Sequence, residues 1–132
     1  MGAWGPGSFE NDDASDWADD LEGSSGIGMI KEALKTVEKH KFPESPDCCI
    51  ALAAAEVVAA AKGKPSNDFP DGLREWLAAH KDVNAIKALD KTTVNVINKV
   101  QLKSELKEVW EESDDWLAWS KVLNDLQNRL KA

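Results

Sequence analysis

The chain has 132 residues, 24 acidic against 16 basic side chains, a formal net charge of −8, and 42% hydrophobic residues. That length suits one domain and buries roughly two thirds of its unfolded surface, so neither a disulfide nor a metal is needed to hold a core together. The negative charge works against binding to nucleic acid or an anionic membrane and favours a basic protein or peptide as partner.

Residues 1–10 read as an irregular but ordered loop in which Gly2, Gly5 and Gly7 free the backbone and Trp4 and Phe9 fold back onto the core. The first 22 residues hold seven acidic side chains, no Lys or Arg, and no apolar run, so no secretory signal is expected. Asn11 or Asp12 caps a first helix whose buried face is Ala14, Trp17, Ala18 and Leu21. The stretch Glu22-Gly23-Ser24-Ser25-Gly26 ends it. A second helix is expected over 27–39, with Ile27, Ile30, Leu34 and Val37 at helical spacing, before Pro43 and Pro46 interrupt regular structure.

Asp47 is a plausible cap for a third helix over 48–62, which carries ALAAAEVVAAA. A helix apolar almost all round touches several neighbours, and its alanines permit close approach. Cys48 and Cys49 are adjacent, the wrong framework for a secreted disulfide scaffold; on a helix they point about 100° apart and read as core thiols, with a redox or metal role as the alternative. A short fourth helix follows Phe69-Pro70 with Leu73, Trp76 and Leu77, and a fifth covers 83–100 with Ile86, Leu89, Thr93, Val96 or Ile97, and Val100 buried. TVNVINKV alternates like a strand, but a lone strand has no sheet partner, so helix is preferred. Leu102 and Leu106 continue that helix or start another across a kink; the last helix, over 114–130, buries Leu117, Val122 or the Lys121 stem, Leu123, Leu126 and Leu130. The fold class is therefore all-α, a compact orthogonal or irregular bundle of five to six helices forming one domain over 1–132. No stretch approaches the ~18 apolar residues of a membrane span, so a cytoplasmic location is the default.

Glu56 is the sharpest candidate for chemistry, because a charge amid AAAEVVAAA is costly unless paired or hydrogen-bonded. A buried carboxylate serves as acid or base, contacts a ligand, or makes a structural hydrogen bond to tryptophan indoles, Asn11 or loop amides. Asp12 and Asp16 share a helix face four residues apart and form, with Asn11, a weak candidate for calcium or magnesium, against the plainer reading of capping and solvation. WGPGSF lacks both the phosphate-loop pattern and a following basic residue, and the acidic neighbourhood repels a nucleotide. His40 and His80 sit at predicted helix ends with no metal or nucleophile motif around them. Trp110, Trp116 and Trp119 flank Glu111, Glu112, Asp114 and Asp115, and an aromatic patch rimmed by carboxylates suits a basic peptide or a quaternary amine.

The opening MGAWGPGSFENDDASDW, then PDCCIALAAAEVVAAAKGKP, then ELKEVWEESDDWLAWSKVLNDL resemble a bacterial family called domain of unknown function 4259. The resemblance covers essentially the whole chain. It marks Trp4, Gly5, Gly7, Phe9, Asn11, Asp12, Glu56, Trp110, Glu111 and Trp119, with Ser15 departing from a larger apolar residue. It implies a single-domain bacterial protein and supplies no reaction. Three functions follow from the residues. The leading one is an acidic protein-interaction or ligand-binding module using Trp4, Asn11, Asp12, Glu56, Trp110, Glu111 and Trp119, with no cofactor. The others are a small metal-dependent or carboxylate-based hydrolase using Glu56, and a structural subunit of a helical assembly.

Overall fold

The computed structural model describes residues 3, 5–24, 27–80 and 82–132. Among the described residues eight helices follow one another: α1 Asp12–Glu22, α2 Gly28–Lys39, α3 Ser45–Ala61, α4 Asp71–Ala79, α5 Val83–Lys87, α6 Asp90–Leu102, α7 Glu105–Glu111 and α8 Trp116–Lys131. The described residues hold no strand, only an isolated antiparallel bridge between Ala3 and Asn11 that closes the base of the N-terminal segment. TVNVINKV is helical, within α6.

The helix α3 packs against each of the other seven. Twelve of its seventeen residues are buried, and small side chains at Ala51, Ala53, Ala54, Ala55 and Ala59 let neighbours approach from every side. It ends in a Schellman turn: the Gly63 amide donates to the Ala60 carbonyl and the Lys64 amide to the Ala59 carbonyl. Gly63 has φ +84, a left-handed conformation that strains any residue with a Cβ. Around α3 the expected stripes close the core. Ala14, Trp17, Ala18 and Leu21 of α1, and Ile30, Leu34 and Val37 of α2, are all buried, as are Leu123, Leu126 and Leu130 of α8. Truncating one of these fully buried leucines to Ala costs about 2–5 kcal/mol.

The helix count of five to six is corrected to eight among the described residues, because 83–100 divides and α7 is separate from α6. No Gly or Pro marks the break between Lys87 and Asp90. It is held by tertiary contacts: Ile86 is fully buried, and Asp90 forms an ion pair of 3.0 Å with Lys62. Beyond α6, Ser104 starts α7. Its hydroxyl accepts from the Lys107 amide at 3.1 Å and donates to the Val100 carbonyl at 2.7 Å.

Of the two caps expected for α1 the structure has Asn11, its Oδ1 accepting from the Ala14 amide at 2.8 Å. Two further expectations change. Asp47 does not cap α3, which begins at Ser45 with Pro46 in its first turn, where a missing N–H costs nothing. Its cap comes from sixty residues away: the Ser45 amide donates to Glu105 Oε1 at 2.8 Å, and the Glu105 amide returns a bond to the Pro43 carbonyl at 3.0 Å. Leu117 is 76% exposed. The buried stripe of α8 runs Trp119, Leu123, Leu126 and Leu130, and two residues before Trp119 is the opposite side of the helix.

Candidate functional site

A cavity of about 250 Å3 opens where the N-terminal segment lies across the starts of α1 and α3 and against α7. Gly5, Pro6, Gly7 and Ser8 form one wall, and Asn11 and Asp13 stand at the start of α1. Ser45, Pro46, Cys49 and Leu52 come from α3, Glu105, Leu106, Val109 and Trp110 from α7, and Trp119 from α8. The volume lies below the ~300–1,000 Å3 of pockets that take drug-sized molecules.

The segment at its mouth is tied at several points. Its base is the Ala3–Asn11 bridge. The Glu10 amide donates to the Gly7 carbonyl at 3.0 Å, and the Gly7 amide donates to Glu10 Oε1 at 2.9 Å. This curl brings the Glu10 carboxylate so close that a Cβ at Gly5 would lie 2.5 Å from Oε2. Phe9 is buried edge-on against Phe69, ring centres 5.8 Å apart. The far wall is aromatic: Trp110 and Trp119 lie nearly parallel with centroids 6.3 Å apart, and Trp116 packs on Trp119 from outside the cavity at 5.5 Å.

Glu56 lies behind the cavity wall. It is 2% exposed, and its carboxylate meets three donor atoms: Ser8 Oγ at 2.7 Å to Oε2, Arg129 Nη1 at 2.9 Å to Oε1, and Arg129 Nη2 at 3.4 Å to Oε2. Arg129 is itself held by Asp125 through Nε at 2.8 Å and by the Lys64 carbonyl at 3.1 Å, a carbonyl that the Schellman turn presents. Burial pushes the Glu56 carboxyl up, while Arg129 and then Ser8 pull it back. Burial also opposes the Arg129 charge, but Glu56 and Asp125 outweigh it and raise the guanidinium above its ordinary value. The donors named from sequence, indoles, Asn11 and loop amides, are thus replaced by a serine hydroxyl and an arginine. A carboxylate gripped at both oxygens by a guanidinium is committed to that pair rather than poised as a base.

Of the residues singled out in the sequence, Gly5, Gly7, Asn11, Trp110 and Trp119 line this cavity, and Glu56 reaches its wall through Ser8. Asp12 and Asp16 are exposed and outside its lining, which instead includes Asp13. Glu111 is also exposed and pairs with Lys107 at 3.0 Å. Trp4 lies outside the described residues. Among the described residues no three His, Cys, Asp or Glu side chains gather closely enough to share a metal ion.

The cysteines are held as thiols. Burial pushes Cys48 up to about 11 and Cys49 up to about 12, the latter with help from Asp13, so neither is a thiolate nucleophile near neutrality. Glu105 is held below the usual carboxylate range, first by the Ser45 amide and then by the nearby Ser45 hydroxyl. That hydroxyl is buried and has no hydrogen-bond partner of good geometry.

The family model described as Domain of unknown function (DUF4259) matches residues 2–122. The chain belongs to the DUF4259 family. The match includes every lining residue of the cavity, whereas Arg129 lies beyond it. No curated protein and no solved structure matches this DUF4259 chain. No helix among its described residues is long and apolar enough to cross a membrane.

Sequence reasoning missed Arg129, Ser8 and Glu105. Nothing within a helical turn of Glu56 points to Arg129, which is 73 residues away. The available signal was the Asp125–Arg129 spacing, which aims a guanidinium along the inner edge of α8 beside Leu126 and Leu130.

Proposed function

We propose that this protein is a ligand-binding module and that its site is the cavity between the N-terminal segment, α3, α7 and the tryptophans of α8. One observation carries the reading: Asn11, Trp110 and Trp119, marked in the sequence by their chemistry and by the family resemblance, line the same small cavity although Asn11 is remote in sequence from the two tryptophans. Concavity, an aromatic wall and a few polar groups are what a small-molecule site needs. In this reading the glycine-rich segment is the ordered mouth of the site, held by its own hydrogen bonds and by Phe9. The hydrolase reading is less favoured, since Glu56 is engaged by Arg129 and sits behind the wall rather than in the cavity. A basic protein partner draws support from the exposed carboxylates of Asp12, Asp16, Asp19 and Asp20 on α1, which leave that face negative but unshaped.

The test is a thermal-shift screen of small metabolites with tryptophan emission as second readout. A ligand present at ~100 times its Kd adds about 2.7 kcal/mol, a rise in Tm on the order of 10 °C for a domain of this size. The shift and the emission change should both vanish in Trp110→Ala. A screen without any compound that moves both signals would overturn the reading.

A further inference from the structure

We propose, resting on the reading of this cavity as a ligand site, that its occupant is a small uncharged apolar molecule about one ring in size. The volume sets the scale. Apolar cavities of ~150 Å3 already admit benzene, so about 250 Å3 takes a ring with a short substituent. The inner wall is built from Pro6, Leu52, Leu106, Val109, Trp110 and Trp119. Leu52, Leu106 and Trp119 are buried, so they form a floor rather than an outer face. Cys49 adds no charge to it, because burial pushes that thiol up to about 12.

The second, independent observation is that polar groups on this wall are already used by the protein itself. Ser8 Oγ donates to Glu56 at 2.7 Å, and Asn11 Oδ1 accepts from the Ala14 amide at 2.8 Å. The Gly7 amide and carbonyl are both taken by Glu10, and the Ser45 amide by Glu105 Oε1. The Ser45 hydroxyl oxygen is closed off, out of reach of an occupant. A polar ligand entering here gives up water and gains few bonds in return. The described lining residues include no Lys, Arg or His to receive an anion, and Lys107 and Arg129 are spent on Glu111 and Glu56. The two lining carboxylates, Asp13 and Glu105, are exposed. A cation therefore finds screened attraction at the mouth and loses its hydration on the floor. Apolar area and indole faces are what the floor offers, and both favour an uncharged ring.

The test uses the full chain and four probes of similar size: benzyl alcohol, benzylammonium, benzoate and erythritol. Binding is read by amide shifts of α7 and the 5–11 segment. Benzyl alcohol is expected to bind at least about ten-fold tighter than either charged probe, with erythritol not binding. Its affinity should not fall as salt is raised, nor change in Asp13→Asn. Val109→Phe, a half-buried substitution that fills the cavity, should abolish the shifts. Benzylammonium or benzoate binding as tightly as the alcohol overturns the uncharged assignment, and erythritol binding as tightly overturns the apolar one, each leaving a ligand site in place. Shifts that persist in a folded Val109→Phe chain, or no response to any probe, also overturn the proposal. The ligand-site reading itself falls only if the metabolite screen is empty as well.

Discussion

Toward its C-terminal end α3 carries Glu56, whose carboxylate meets three donors within 3.4 Å in a sealed interior, whereas toward its N-terminal end Ser45 leaves a buried hydroxyl unpartnered beside an open cavity. Both ends break the rule that an apolar helix should be apolar, and they break it differently. At Glu56 the chain itself supplies every partner, from Ser8 near one terminus and Arg129 near the other. Such a closed set stabilises one arrangement and offers nothing to a ligand. At Ser45 the hydroxyl is buried and has no hydrogen-bond partner of good geometry, although the residue lines the cavity. The more conspicuous residue in the sequence is the one whose carboxylate is fully engaged inside the protein. Ser8 belongs to both regions, since it lines the cavity while donating to Glu56.

Removing the guanidinium should break the sealed region most. Arg129→Met leaves a buried carboxylate without its ion partner and should cost about 3–5 kcal/mol in urea denaturation. The pH dependence gives that loss a signature. A carboxyl whose folded pKa lies above its unfolded value binds protons more tightly when folded, so stability falls as pH rises from the ordinary carboxylate value through the folded one. Burial already raises Glu56, and removing Arg129 raises it further. Arg129→Met should therefore recover stability relative to the native chain as pH drops from neutrality toward the ordinary glutamate range. A penalty that stays constant with pH would mean that Glu56 is not the group left stranded.

Smaller changes sharpen the contrast between the two serines. Ser8→Ala removes one of three donors to a buried carboxylate and should cost about 1–2 kcal/mol by chemical denaturation. Ser45→Ala removes a hydroxyl that has no hydrogen-bond partner of good geometry, so its effect on stability should stay within about 0.5 kcal/mol by the same measurement. A Ser45→Ala loss as large as that of Ser8→Ala would show that the hydroxyl is bonded within the protein after all.

The patterns that were legible in the sequence are those whose cause is local. ALAAAEVVAAA announces a central helix because every face is apolar, and α3 does touch all its neighbours. The four-residue stripe of α1 and the leucine spacing of α8 depend only on helical period, although Leu117 was placed on the wrong side of it. The Glu56 anomaly was equally plain, because a lone charge in such a run demands a partner. Which partner could not be read, since Ser8 and Arg129 are 48 and 73 residues away. The cap of α3 was missed for the same reason: Glu105 serves it from another helix while Asp47, the local choice, does not. The division between α5 and α6 carries no breaker residue, so local propensity alone predicts a continuous helix. Tryptophans at 110 and 119 suggested a cluster, but only the placement of α7 against α3 turns part of that cluster into a cavity wall.

The bond between Glu56 and Arg129 also ties folding to synthesis. A nascent chain that has released α3 but not the last turn of α8 holds a carboxylate with no cation to accompany it into the core. Closing the interior at that stage is penalised, and the penalty disappears only when residue 129 arrives. Any chain without the residue 129 guanidinium should therefore be less stable than one that has it, by the deficit of a buried carboxylate left without its cation.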